Sequence, residues 1–236
     1  MSEILEANRR YAGVIRDVIK LRGEPVAVKL IEVGKDFPEG YEVPDYQMSH
    51  CQAVFAARDG NSFALPEDSI NCKVGASALW MTDTPEKIES GEFHANIGMH
   101  DTVQASAEMI AKREKSGKRY QGEVVCPLKD ADFEPDVVLM ADIPEHIYWI
   151  VPFTTSRGGG RAEFSTGAFM CACEDVTAVP MIEQRPNISL GCFGCRKKTP
   201  MKSDEMACGI PYAMIPSFVE HLERYSGGVM PKAKRD

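Results

Sequence analysis

The chain has 236 residues, of which 44% are hydrophobic and 26% charged, and its formal net charge is -8. This is the composition of an ordinary globular protein with a sizeable core. The acidic balance argues against general nucleic-acid binding, which depends on basic surfaces and counterion release, and against docking on anionic lipid. No apolar run reaches the roughly 18 residues that span a bilayer, and the N-terminus lacks the features of a secretory signal. We therefore expect a cytoplasmic protein that binds neither nucleic acid nor membrane.

Hydrophobic periodicity predicts interleaved helices and strands along the chain. In order, the predicted elements are a helix over 3–21, a strand over 25–33, a helix over 48–58, a short strand before 66, a helix over 66–81, a helix over 101–115, strands over 123–128 and 135–142, a helix over 144–151, a helix containing Cys171 and Cys173, strands over 187–191 and 206–210, and a final helix around 218–222. No long linker separates them. The pattern predicts a single compact α/β or α+β domain over 1–225, with a mixed sheet flanked by helices, and a flexible tail over 226–236.

Eight cysteines are more than packing requires in a chain of this size. A reducing compartment keeps thiols free, so a disulfide framework is not expected. Cys192 and Cys195 stand at C-x-x-C spacing in "GCFGCRKK", which is typical of metal or redox chemistry. If the strands on either side of this motif pair, Cys208 lies nearby. The three basic residues that follow Cys195 would then lower the thiol pKa values and favour thiolates.

Three chemistries compete for these thiols. Zinc sites use two closely spaced ligand pairs, and Cys171 and Cys173 make a poor second pair because positions i and i+2 of a helix point to different faces. We therefore expect those two cysteines to lie outside the site. A thioredoxin-like dithiol would open a helix, which Gly194 and Pro200 disfavour. An iron–sulfur cluster accepts dispersed thiolates in glycine-rich loops and fits "GCFG", "CKVG" and "ACG".

Several motifs together carry a family resemblance. "PVAVKL", "SHCQAVFAARDGNSFAL", "INCKVGASALW", "CPLKDADFEPDVVLM", "GCFGCR" and "DEMACGIP" resemble the prokaryotic family called domain of unknown function 169, from about Glu24 to Leu222. The resemblance implies recurrent cysteines at Cys51, Cys72 and Cys192, and an origin among anaerobic archaea and bacteria. At Cys195 the family often has another polar residue, so that position departs from its pattern.

Our first hypothesis is an iron–sulfur protein. A cubane-type 4Fe-4S cluster would be held by Cys51, Cys72, Cys192 and Cys195, with Cys208 and Cys126 as reserve ligands. Such a protein would transfer electrons to a redox partner protein, or would catalyse a reaction if one iron keeps an open site. We expect the first three cysteines to converge in space. The sequence leaves open whether the chain is an enzyme and whether it forms a homo-oligomer.

The alternatives do not require iron. One is a metal-free module for a small anionic ligand or a protein partner, with Lys29 and Arg196 as the main anion-binding residues, and with Arg157, Arg161 and the glycines at 158–160 contributing. The other is a zinc or dithiol redox protein based on the C-x-x-C motif. The sequence contains no phosphate-binding loop and no dinucleotide fingerprint that would sharpen the first alternative.

Overall fold

A computed structural model of the protein describes residues 2–227. Most of the predicted tail, 228–236, lies outside these residues. One open sheet forms the centre, and its strands are β1 Val26–Glu32, β2 Phe63–Pro66, β3 Tyr120–Pro127, β4 Val137–Asp142, β5 Asn187–Ser189 and β6 Met206–Pro211. The strand order is β2-β3-β1-β4-β6-β5. Every neighbouring pair is antiparallel.

Short helices cover the sheet. They are α1 Glu3–Ile19, α2 His50–Arg58, α3 Lys73–Ala78, α4 Glu86–Glu89, α5 Glu92–Asn96, α6 Val103–Ala111, α7 Pro144–Ile147, α8 Ile150–Thr155, α9 Val179–Glu183, α10 Phe193–Lys198 and α11 Ile215–Tyr225. A π-helix, Cys171–Ala178, leads directly into α9. Within residues 2–227, no helix has the length and apolar character to cross a membrane.

Alternate residues of the strands face two separate cores. On one face, Val28 and Leu139 pack with α2, α3, the π-helix and α10, and we call this the sulfur face because six cysteines lie on it. On the other face, Ala27 and Met140 pack with α1, α7, α8 and α11, and we call this the apolar face. Both faces are covered, so the central strands are buried almost throughout.

The predicted fold class, a compact domain of mixed α and β structure, is confirmed. Three details differ from the prediction. The sheet is antiparallel rather than mixed, since every pair of neighbouring strands runs antiparallel. The helix predicted over 66–81 is replaced by a 3-10 turn, Glu67–Ser69, followed by α3, which starts after Cys72. The helix predicted over 144–151 is likewise two short helices.

The π-helix is seated directly on β6. An ideal Cβ added to Gly209 would lie only 1.9 Å from the carbonyl oxygen of Val176, so glycine is the residue that permits this approach. The strand pairing expected around the C-x-x-C motif is present, because Ser189 pairs with Ala207 and Ile188 with Cys208. These contacts place the start of the π-helix beside the end of β5.

Candidate functional site

Four thiols meet between α2, the π-helix and α10. The Sγ atoms of Cys192 and Cys195 lie 3.6 Å apart. The Cys195 thiol is also within hydrogen-bonding range of Cys171 and Cys51. We call Cys51, Cys171, Cys192 and Cys195 the contact group. Its members come from three chain segments, and all except the half-buried Cys51 are buried.

Cys192 is the centre of negative charge in this group. Its pKa is lowered to about 5, first by the hydrogen bond with Cys195 and then by backbone N–H groups of Cys195, Cys171 and Gly194. Cys192 is also the N-cap of α10, so the cap position and the donors coincide. The hydrogen bonds that favour the Cys192 thiolate keep the proton on its neighbour and raise the pKa of Cys195. The group therefore shares protons among its sulfurs.

The buried side chain of His50, next to Cys51 in the chain, affects the pKa of the Cys51 thiol. The Nδ1 atom of His50 lies 2.6 Å from a carboxylate oxygen of Glu123, and its Nε2 lies 3.1 Å from the hydroxyl of Thr177. That hydroxyl donates to the Ala172 carbonyl, so it accepts from Nε2–H. Burial acts to lower the pKa of His50, but the Glu123 carboxylate outweighs it and the pKa is raised. The pKa of Cys51 is lowered to about 6, first by the hydrogen bond with Cys195 and with a contribution from His50.

Two further thiols lie beside the contact group. Cys72 and Cys173 both approach Gly75, whose ideal Cβ would lie 3.6 Å from the Cys72 sulfur and 3.8 Å from the Cys173 sulfur. Burial raises the pKa of Cys173 well above its usual value, and the charges of Cys72, Cys192 and Cys51 add to the effect. The electrostatic coupling shows that this pair and the contact group share one region of the protein.

The carboxylates of the π-helix fasten it to the rest of the site. Asp175 accepts hydrogen bonds from Ser189 at 2.6 Å and Thr166 at 2.8 Å. Burial nevertheless raises the pKa of Asp175 to about 6. Glu174 accepts the backbone N–H of Glu114 at 2.6 Å, and burial raises its pKa to about 8. The two side chains thus connect the helix that carries Cys171 and Cys173 to separate segments of the chain.

We expected Cys171 and Cys173 to lie outside the site, and the structure places both beside its other thiols. As expected for positions i and i+2 of a helix, the two side chains have different neighbours. Cys171 reaches Cys195, whereas Cys173 lies with Cys72. Both cysteines can lie beside other thiols because sulfurs are present on both sides of the first turn of the π-helix. The helix that was not expected after Cys192 is also present as α10. It begins at an N-cap and ends before Pro200, so its six residues avoid the proline.

Cys126 and Cys208 lie apart from the other six. Both are fully buried in the apolar face, on the opposite side of the sheet from the contact group. Burial raises the pKa of Cys126 to about 12 and also raises that of Cys208. Neither is placed to act as the reserve ligand that the sequence predicted.

The residues predicted to bind an anion have partners within the chain. The Lys29 ammonium lies 3.2 Å from Asp136. The Arg196 guanidinium donates to the backbone carbonyls of Lys202, Leu190 and Glu205, and so closes the loop around the C-x-x-C motif. Lys197 lies over the ring of Phe193. Backbone N–H groups and neighbouring thiols, rather than these basic residues, are thus the main stabilisers of the thiolates. Arg161 lines a separate cavity of about 580 Å³ beside 158–160.

Sequence reasoning missed the pair of His50 and Glu123. A visible signal existed, since Glu123 directly precedes the apolar run of β3, and a buried carboxylate needs a partner. In the part of the chain that the structure describes, the side chains do not already form a metal site. Among residues 2–227, no three His, Cys, Asp or Glu side chains already surround a common metal position. The thiols instead contact one another.

Comparison with known proteins gives two matches. The model of a family, DUF169, described as "Uncharacterised ArCR", matches residues 14–221. A relative from Methanocaldococcus jannaschii, "Uncharacterized protein MJ0308", is 27% identical over 219 residues, which are 92% of this chain and 94% of that protein. No solved structure matches.

Proposed function

We propose that this chain, which belongs to the DUF169 family, is a cytoplasmic iron–sulfur protein whose cluster is bound by the contact group. The match of the family model to residues 14–221 confirms the family resemblance seen in the sequence motifs. The observation that carries the proposal is the meeting of Cys51, Cys171, Cys192 and Cys195 from three distant segments in one buried region. Relative to the set proposed from the sequence, Cys171 takes the place of Cys72, which lies in the adjacent pair.

The donor chemistry fits such a cluster. Iron–sulfur clusters are held by thiolates, and backbone N–H groups directed at the sulfurs tune them. Cys192 receives three such N–H groups, and its lowered pKa makes the thiolate available near neutral pH. Because Cys192 and Cys195 are in contact at 3.6 Å, their sulfurs would have to separate to hold several irons. A bound cluster would supply one-electron redox chemistry.

The protein's own residues have definable tasks in this proposal. His50, held by Glu123 and Thr177, places a positive charge beside Cys51 and offsets part of the negative charge of the thiolates. Asp175 fixes the π-helix to β5, so it positions Cys171 without reaching the sulfurs. The surrounding apolar core limits water access to Cys171 and Cys195.

Iron and acid-labile sulfide counted per chain, on protein purified without oxygen, test the proposal. We expect stoichiometric iron and sulfide with a broad visible absorption band. Cys51→Ala, Cys171→Ala and Cys192→Ala should each lose most of the iron, whereas Cys126→Ala, a matched control on the apolar face, should keep it. Iron-free protein after anaerobic reconstitution, or equal iron in Cys192→Ala and Cys126→Ala, would contradict the proposal.

A dithiol function is the second candidate, and a specific observation favours it. Cys192 caps a helix that follows a strand, with Cys195 one turn away and a sulfur separation of 3.6 Å. In that case the metal-free protein should form a reversible Cys192–Cys195 disulfide with a definite reduction potential. Peptide mass spectrometry after mild oxidation measures it. Two free thiols at these positions would eliminate this candidate.

A further inference from the structure

A second cavity lies beside the sulfur face and shares none of its thiols. Its volume is about 510 Å³, within the range of small-molecule sites, and its lining includes Ser77, Trp80, Arg113, Lys115 and Arg119. It is bounded by the end of α3, by α4 and by the segment that follows α6. Cys72 is the N-cap of α3 and Ser77 lies near its end, so the same short helix contacts both the thiols and the cavity.

Arg113 is unusual among the cations of this cavity. Its guanidinium is half-buried and donates to the hydroxyls of Ser77 at 3.0 Å and Thr84 at 2.7 Å and to the Ile110 carbonyl at 3.4 Å. Within residues 2–227 no carboxylate lies within ion-pair distance of it. By contrast, Arg119 on the rim is paired with Asp83. Desolvation by burial lowers the pKa of Arg113 and outweighs the charges of Glu174, Cys173 and Glu89, which act to raise it.

The aromatic wall of the cavity is held in a rare backbone conformation. Trp80 has a φ of 56°, in the left-handed region that bulky side chains rarely adopt. Its indole N–H donates to the Glu114 carbonyl at 3.1 Å, directly after Arg113 in the chain. Trp80 and the Arg113 guanidinium therefore line the same cavity and are joined through one backbone segment.

We infer that this cavity binds a small molecule with an oxyanion group and a flat apolar part. The oxyanion, a carboxylate or a phosphate, would take the two terminal N–H groups of Arg113 that remain after its bonds to Ser77, Thr84 and Ile110. The apolar part would lie against Trp80 and Ile110. Lys115, exposed and without an ion-pair partner in the part of the chain that the structure describes, adds positive charge at the rim. The inference stands whether or not the contact group binds iron.

Fluorescence titration tests this inference in a Trp149→Phe background. Trp149 lies in the apolar face, so its removal leaves Trp80 as the sole indole signal. The ligands to titrate are benzoate, phenyl phosphate and the neutral analogue benzamide. We expect a saturable change with benzoate or phenyl phosphate, and at least tenfold weaker binding of benzamide. The anion that binds more tightly distinguishes a carboxylate site from a phosphate site.

Two variants distinguish anion binding by the Arg113 guanidinium from a general effect of positive charge. Arg113→Gln should weaken binding of the preferred anion at least tenfold, and Arg161→Gln, which lines the separate cavity near 158–160, should leave it unchanged. The comparison of benzoate with benzamide needs no change at Arg113, so it decides the matter even if Arg113→Gln misfolds. The absence of a saturable signal with both anions, or equal binding by benzoate and benzamide, would overturn the inference.

Discussion

The two faces of the sheet use the same residue type in opposite ways. On the apolar face, burial outweighs the few polar contacts of Cys126 and Cys208 and raises both of their pKa values. On the sulfur face, Cys192 is as well buried as an ordinary core residue, yet its pKa is lowered by the thiol of Cys195 and by backbone N–H groups. Burial alone therefore does not decide the chemistry of a cysteine in this protein. The hydrogen-bond donors around the sulfur do.

Thiol reactivity gives the largest expected contrast between the faces. In reduced, metal-free protein at pH 7, we expect Cys51 to react with iodoacetamide at least about 100-fold faster than Cys126, because the thiolate is the nucleophile. The pKa of Cys51 is lowered to about 6 and that of Cys126 is raised to about 12. Peptide mass spectrometry gives both rates, and the Cys51 rate should reach half its maximum near pH 6. A midpoint at the ordinary thiol value of about 8.5 would contradict the assigned environment.

The contact between the π-helix and Gly209 of β6 gives the next largest expected effect, a loss of stability. Gly209→Ala would place a Cβ 1.9 Å from the Val176 carbonyl oxygen, and a backbone atom cannot yield by changing rotamer. We expect the free energy of unfolding to fall by about 3 kcal/mol. Denaturant unfolding of metal-free protein measures it. Gly13→Ala is the control on the apolar side, since nothing lies within 4 Å of its Cβ. That change should be neutral or stabilising by up to about 1 kcal/mol, because alanine favours helix α1. Equal effects would rule out the close approach.

Glu174 gives a smaller, pH-dependent effect. Burial raises its folded-state pKa from 4.5 to about 8, so between these values the folded chain keeps a proton that the unfolded chain releases. Stability contributed by this group is present below pH 4.5 and declines as the pH rises to 8. Glu174→Gln removes the dependence and keeps an acceptor for the Glu114 N–H. Relative to the parent, we expect a gain in unfolding free energy of about 1–2 kcal/mol at pH 8 and little at pH 5. A difference that does not vary with pH would refute this assignment.

Cys208→Ala should have the smallest effect. The sulfur is fully buried among apolar side chains of the apolar face, so its loss leaves a small void. We expect unfolding to become easier by about 1 kcal/mol, with the labelling rate of Cys51 unchanged. Thermal unfolding and peptide labelling on the same sample measure both quantities. A changed Cys51 rate would show that the two faces are coupled through the sheet.

Most elements could be predicted from the sequence because their periodicity is local. The helix over 3–21 and the strand over 25–33 correspond to α1 and β1. The assignment of cysteines to faces could not be predicted in the same way. Both faces of this sheet are covered, so the strand segments around Cys126 and Cys208, VVCP and MACGIP, are apolar runs without the alternation that distinguishes one side from the other. Cys126 and Cys208 therefore gave no sign that they face away from the contact group.

The membership of Cys171 was missed for a different reason. The π-helix has no sequence signature of its own, and it is stabilised here by tertiary contacts from Asp175 to Ser189 and from Asn187 to the Asp175 carbonyl. The convergence of Cys51 and Cys192 could be anticipated from the family's recurrent cysteines. The roles of His50 and Arg113 could not, because each depends on partners far away in the chain.

The separation of the contact group along the chain has a consequence for biosynthesis. Cys51 and Cys195 are 144 positions apart (195 minus 51), and the π-helix between them rests on Gly209 of β6. A protein built on such long-range contacts pays the loop-closure entropy before they form, so it folds late and slowly. While the ribosome is still making β6, the four sulfurs cannot yet form their final arrangement. Any cofactor delivered to them must therefore arrive after synthesis of the chain is nearly complete.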